Sequence, residues 1–192
     1  MNDMIEIRWH GRGGQGAKTA ALLLADAALA AGKYVQAFPE YGPERMGAPV
    51  ASFDRISTKP ILLHSGVANP SIVVVLDPTL MDTVPVTEGV PADGTIVINT
   101  NKCSADMRKE LGVGAGVKVF TVDASTIAVE TIGRDIPNTP LLGALIKATG
   151  ILDFKEMLED MKKKLEKKFR SKPEVIAGNL KAIERAYNEV KN

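Results

Sequence analysis

Apolar and polar residues alternate near the amino terminus. Ile5, Ile7 and Trp9 are set against Glu6, Arg8 and His10, the period of two that marks a β-strand. A glycine-rich stretch follows, and then an Ala/Leu run from about Ala17 to Ala31 predicts a helix. Gly32 stands where a helix C′ glycine belongs. Tyr34 to Phe38 predicts a second strand, stopped at Pro39, and Val50 to Ile56 a third, after an irregular stretch holding Pro43, Gly47 and Pro49. Ile72 to Leu76 has another pattern: an unbroken, β-branched apolar run closed by Asp77-Pro78. Such a run predicts a strand buried on both faces of a parallel sheet. Thr95–Ile98 and Val117–Val122 repeat it.

The last forty residues change to a helical period. Phe154, Met157, Leu158, Met161 and Leu165 form one stripe, and Ile176, Leu180, Ile183, Tyr187 and Val190 a second. Asp153 with Glu156 and Ser171 with Glu174 have the spacing of capping boxes at the two starts. Strands alternating with helical patterns predict an α/β architecture with a mainly parallel sheet. Ile5–Trp9 and Ile72–Leu76 are its expected central strands, with the glycine-rich turn at a carboxyl edge. The expected organisation is one domain over residues 1–150, with a helical extension over 151–192 packed on or beside it.

Composition narrows the functional classes. A hydrophobic content of 45% is enough for a packed core, and a formal net charge of +1 gives no general attraction to nucleic acid or anionic lipid. The paired lysines at Lys162–Lys164 and Lys167–Lys168 are interleaved with Glu159, Asp160 and Glu166, so they read as a solvated helix face. No run approaches the length of a membrane span, and Asp3, Glu6 and Arg8 do not suit a signal peptide, which predicts a cytoplasmic protein. Cys103 is the only cysteine and is expected to pack as a small, partly buried residue. Alone it cannot hold an iron–sulfur cluster, and His10 and His64 lack neighbours at metal-ligand spacing, so no metal site is expected in this chain.

The candidate chemistry lies in Gly11, Arg12, Gly13, Gly14, Gln15 and Gly16, where Gly11, Gly13 and Gly16 fit G-x-G-x-x-G between a strand and a helix. Glycines permit the tight turn, and the free amides of the helix start face an anion. Lys18 and Thr19 add a cation and a hydroxyl, so a phosphate-bearing ligand is the natural expectation. Ala17 separates the last glycine from Lys18, which rotates the lysine by about a hundred degrees from its P-loop position. An ATPase is therefore rejected. For a dinucleotide enzyme the ribose-binding acid would be Glu40, which opens a Tyr41-Gly42-Pro43-Glu44-Arg45 loop and does not resemble a ribose clamp. A stand-alone nucleotide enzyme and a glycine turn that serves packing alone remain the rivals. Thr139 before Pro140 reads as a helix N-cap with proline at the first helical position.

Taken together, Ile5-Glu6-Ile7-Arg8-Trp9-His10, the glycine turn, Tyr34 through Gly42, Glu44-Arg45, Gly47 and Ala48-Pro49 resemble the γ subunits of pyruvate and related 2-oxoacid:ferredoxin oxidoreductases. Pro137-Asn138-Thr139-Pro140-Leu141-Leu142-Gly143-Ala144 is similar to a later motif of the same family, while Pro43 and Met46 depart from it. The resemblance implies a Rossmann-like fold and a share in oxidative decarboxylation of a 2-oxoacid with coenzyme A (CoA) to acyl-CoA, CO₂ and reduced ferredoxin. It implies α, β and δ partner subunits carrying thiamine diphosphate (TPP), Mg²⁺ and [4Fe–4S] clusters, with ferredoxin as electron acceptor. It implies no catalytic residue in this chain. Gly11–Gly16, Lys18 and Thr19 become a candidate CoA phosphate loop, and Glu40, Tyr41, Glu44 and Arg45 a candidate subunit interface. The oxoacid stays open between pyruvate, a branched-chain 2-oxoacid and 2-oxoglutarate.

Overall fold

A computed structural model describes residues 4–40 and 46–192. Among them, six strands form one sheet in the order β2-β3-β1-β4-β5-β6. These are β1 (Met4–Arg12), β2 (Tyr34–Pro39), β3 (Pro49–Ser57), β4 (Ile72–Val75), β5 (Thr95–Asn99) and β6 (Lys118–Val122). β1, β4, β5 and β6 pair in parallel, while β3 runs antiparallel between β1 and β2. The continuous apolar run of β4 is explained by its central place, since Val73, Val74 and Val75 are wholly buried.

Six helices complete the described residues: α1 (Ala17–Ala30), α2 (Ser104–Leu111), α3 (Ala124–Ile132), α4 (Asn138–Thr149), α5 (Phe154–Lys168) and α6 (Pro173–Glu189). Ile7, Trp9, Val74 and Leu76 project from one sheet face into a core shared with Leu24, Leu141, Leu145, Met161 and Ile183 of α1, α4, α5 and α6. Val73, Val75, Ile96 and Ile98 project from the other face onto Met107 of α2 and Val86. Alternation along β4 thus sends successive valines into different cores.

α1 ends as its glycine predicts. Gly32 takes φ +74, its N–H donates to Leu29 O, and the Lys33 N–H donates to Ala28 O. That pair of bonds is a Schellman ending, which satisfies two otherwise orphaned carbonyls. Asp153 caps α5 by accepting from the Glu156 N–H at 3.0 Å.

Three local expectations are corrected. Ser171 caps nothing: α6 starts at Pro173 behind Lys172, whose side chain makes no cap bond. Proline, with its φ preset for the first helical position, starts the helix at Pro173 and so puts the N-cap at Lys172, one residue beyond the serine. Thr139 lies inside α4, where its own N–H donates to Asn138 Oδ1 at 2.7 Å. Cys103 is exposed just ahead of α2, with Sγ 3.1 Å from Asp106 Oδ2.

Residues 151–192 share the core of the rest. Ala182, Ile183 and Ala186 are fully buried, and Phe154 stacks on Tyr187 with ring centroids 3.8 Å apart. Lys191 and Thr121 exchange backbone hydrogen bonds of 2.9 and 2.8 Å, so the chain end adds an antiparallel bridge beside β6. No helix among the described residues is long and apolar enough to cross a membrane.

Candidate functional site

The carboxyl ends of β1 and β4 lie side by side at the point where connections leave the sheet in opposite directions, the usual ligand crevice of open α/β sheets. The glycine turn leaves β1 there, and Asp77 leaves β4. Asp77 organises the turn. One oxygen, Oδ2, accepts from Arg12 Nε at 3.0 Å and from Gln15 Nε2 at 2.9 Å. The other, Oδ1, accepts from the Thr79 N–H at 3.0 Å and the Thr79 hydroxyl at 2.6 Å. Partial burial pushes this carboxyl up. The hydrogen bonds from Thr79 and Gln15, with the Arg12 charge, outweigh burial and hold it below the ordinary carboxylate value.

Arg12 is therefore already engaged. Its Nη1 also donates to Gly47 O at 3.2 Å and its Nη2 to the Thr79 hydroxyl at 2.8 Å. The turn is tied internally as well: Gly13 N–H donates to Ala48 O, Gly47 N–H to Gly13 O, and Gln15 N–H to Arg12 O. Gln15 Oε1 accepts from the Arg12 N–H at 2.7 Å, which makes the glutamine side chain a plug for the turn. Of the candidate amides, those of Gly13 and Gln15 are spoken for. The amides of Gly14 and Gly16 have no partner among the described residues, and the first helical turn of α1 carries no side-chain cap. Gly16, the N-cap of α1, is among the donors a helix start leaves open, and Gly14 adds a second free amide in the turn before it.

Gly16 holds this geometry at φ +85, and a Cβ there would lie 2.5 Å from Asn138 Nδ2. Asn138 in turn donates to Gly16 O at 3.4 Å. The later motif, distant in sequence, thus buttresses the glycine turn. A cleft of about 470 Å³ opens over the turn, lined by Gly14, Gly16, Lys18, Thr19, Glu40 and Ser52 among others. Lys18 and Glu40 are exposed. Tyr41, Glu44 and Arg45 lie outside the described residues. The sequence reading did not single out Asp77 or Asn138. Asp77 carried a signal, since an Asp-Pro closing an apolar strand marks a carboxyl edge, while Asn138 touches Gly16 only through the tertiary fold. No group of three His, Cys, Asp or Glu among the described residues is placed to hold a metal ion.

Comparison with known proteins gives the family. Residues 6–189 match the family model "Pyruvate ferredoxin/flavodoxin oxidoreductase". Pyruvate synthase subunit PorC of Thermotoga maritima is 51% identical over 188 residues, covering 97% of this chain and 94% of that protein. The pyruvate/ketoisovalerate oxidoreductases common subunit gamma of Thermococcus kodakarensis is 47% identical, with 97% of each chain covered. The crystal structure of pyruvate oxidoreductase subunit PORC from Thermotoga maritima superposes with a TM-score of 0.85 at 48% identity, over 99% of this chain and 98% of that one. The chain therefore belongs to the pyruvate ferredoxin/flavodoxin oxidoreductase family, as a γ subunit of a 2-oxoacid:ferredoxin oxidoreductase complex.

Proposed function

We propose that this chain contributes a CoA phosphate-binding loop to a complex that oxidises pyruvate and passes the electrons to ferredoxin, with α, β and δ subunits supplying the remaining chemistry. The observation that carries the reading is a coincidence at one strand end: an uncapped start of α1, an exposed Lys18, and a cleft of about 470 Å³ above them. The diphosphate and 3′-phosphate of CoA offer oxygens that accept from such amides, and the helix adds roughly half a positive charge at that end. Lys18 supplies the mobile cation, because Arg12 is held by Asp77.

The donor set does not fit the complex's other cofactors. A [4Fe–4S] cluster is usually held by four thiolates, and Cys103 is the only cysteine. No G-D-G diphosphate and Mg²⁺ signature occurs in the sequence. TPP, Mg²⁺ and the clusters are accordingly assigned to partner chains, and the isolated chain is assigned no activity. Purified alone, it should be colourless and free of iron and thiamine; stoichiometric iron–sulfur absorbance would overturn that assignment. The Thermococcus relative is named as common to pyruvate and ketoisovalerate oxidoreductases, which supports placing oxoacid selection outside γ.

The test is Lys18→Ala in the assembled complex. Losing one charge-assisted phosphate contact, worth ~1.5–3 kcal/mol, raises the apparent KM for CoA about tenfold or more. The oxoacid KM and CoA-independent decarboxylation stay put. A purely architectural turn has its own support in the internal bonds of Gly13, Gln15 and Arg12. It would be established by an unchanged CoA KM in Lys18→Ala together with lost assembly in Gly14→Val.

A further inference from the structure

The sheet has two edges. At β6 the chain end adds the Lys191–Thr121 bridge, whereas along the outer side of β2 no described residue pairs. The Glu40 N–H donates to Ala51 O, in register with the β2–β3 ladder. Alternation along an antiparallel ladder then turns the N–H and C=O groups of Tyr34, Gln36 and Phe38 towards β3 and those of Val35 and Ala37 outward. The outward groups have no backbone partner among the described residues. Pro39 falls in the outward set too, the place where a strand tolerates a residue without an N–H.

Natural sheets commonly blunt an open edge with charge, and β2 carries none. Apolar side chains flank it instead. Seven large apolar side chains are exposed among the described residues, and five of them, Leu22, Leu29, Tyr34, Leu62 and Leu63, surround this strand. Leu62 and Leu63 sit on the loop that Gln36 holds by donating to Leu63 O at 2.9 Å. Leu22 and Leu29 share one side of α1, which packs across β2 and β3. That side is turned away from α5, which meets Ala27 and Ala31.

We propose that β2 docks a second copy of this chain, as an antiparallel strand related by a two-fold axis through Gln36. Val35 of each copy exchanges both backbone hydrogen bonds with Ala37 of the other, Tyr34 faces Phe38, and one sheet runs through the dimer. The flanking charges choose this direction and this occupant. Lys33 precedes the strand and Glu40 follows it, and neither has an ion pair among the described residues. Antiparallel pairing about Gln36 brings each Lys33 beside the Glu40 of the other copy, while parallel pairing sets like charges together. Pro39 then opposes Lys33, whose N–H already goes to Ala28 O, so the ladder ends where both strands run out of donors. A two-fold interface must complement itself, and a neutral strand with opposite charges at its ends does so.

Sedimentation velocity of the full chain at about 100 μM should show a species of twice the chain mass, dissociating at about 10–100 μM as a small interface does. Ala37→Pro removes an N–H that β3 does not use, and should leave a folded monomer. Lys33→Glu and Glu40→Lys should each weaken the dimer at least about fivefold, and the two together should restore it. In a Cys103→Ser background, Gln36→Cys should form a disulfide dimer under mild oxidation, because it meets its own copy at the two-fold. Tyr34→Cys, which faces Phe38, should not. Gln36 also bonds Arg55 and Leu63, so if Gln36→Cys fails to fold the charge exchange decides. A monomer at 100 μM, a dimer indifferent to Ala37→Pro, no rescue by the charge exchange, or equal cross-linking of the two cysteine variants each overturn the proposal. So does loss of cross-linking on assembly with the partner subunits, which would give the edge to a partner's strand.

Discussion

Trp9 Nε1 donates to Asp54 Oδ2 at 2.7 Å in the interior between the sheet and α1, and Asp54 Oδ1 has no partner. Burial pushes the Asp54 carboxyl well above its ordinary value, only partly opposed by the Trp9 hydrogen bond. Asp54 thus keeps its proton in the folded state where the unfolded chain has lost it. Its contribution is complete below the unfolded value near 3.8 and is lost as pH rises through the folded value. His10 acts in the opposite sense. Burial first, and then the Arg8 charge, lower it from 6.5 to about 4, so stability falls as pH drops from about 6.5 towards 4. Asp54→Asn should therefore be more stable than the parent at pH 8, with the gap narrowing in acid. His10→Gln should flatten the loss between pH 6.5 and 4. Denaturant titrations followed by Trp9, the only tryptophan, measure both. Trp9→Phe should cost about 1–3 kcal/mol by leaving the Asp54 carboxyl without a hydrogen bond, read by circular dichroism.

At the scale of elements, the decisive junction is that between the glycine turn, α1 and α4. Gly16 sits at φ +85 and leaves no room for a Cβ against Asn138. Gly16→Ala should cost about 1–2 kcal/mol from the left-handed backbone alone, and more from the contact. Adding Asn138→Ala should restore only the contact part, because the backbone strain stays; full restoration would show that φ is not limiting. α4 and α6 meet as closely, since a Cβ on Gly143 would lie 2.1 Å from Ile183 O. Gly143→Ala should destabilise by about 1–3 kcal/mol or more, as overpacking does, measured by thermal unfolding.

On the scale of the whole molecule, residues 151–192 supply Met157, Met161, Ala182, Ile183 and Ala186 to the core that also holds Trp9 and Leu141. Removing them would bare the buried face of α4, whose Leu141, Leu145 and Ile146 are almost fully covered. A chain ending at Gly150 should fail to give a cooperative unfolding transition, whereas a chain ending at Val190 should lose only the bridge to Thr121. The two truncations, compared by calorimetry, distinguish a helical layer that completes the core from an appendage beside it.

The sequence determined the parts whose signals are local. Periods of two placed β1, unbroken β-branched runs placed β4 and β5, Gly32 ended α1, and apolar stripes placed α5 and α6, because each of these is fixed by residues a few positions apart. The glycine turn was legible for the same reason, together with the family pattern around it. α2 and α3 gave no comparable stripe: among their residues only Met107, and Ala124, Ile127 and Ala128, are buried, too short a pattern to stand out. Tertiary structure alone decided how the site is wired. It drew Asp77 across to Arg12 and Gln15, set Asn138 against Gly16, and closed loops over Arg8 and His10. Those partners lie roughly 60 to 120 residues apart in the chain. No local period encodes such pairings, since they arise from the order in which β3, β1 and β4 lie side by side, and that order is set by burial of the whole sheet.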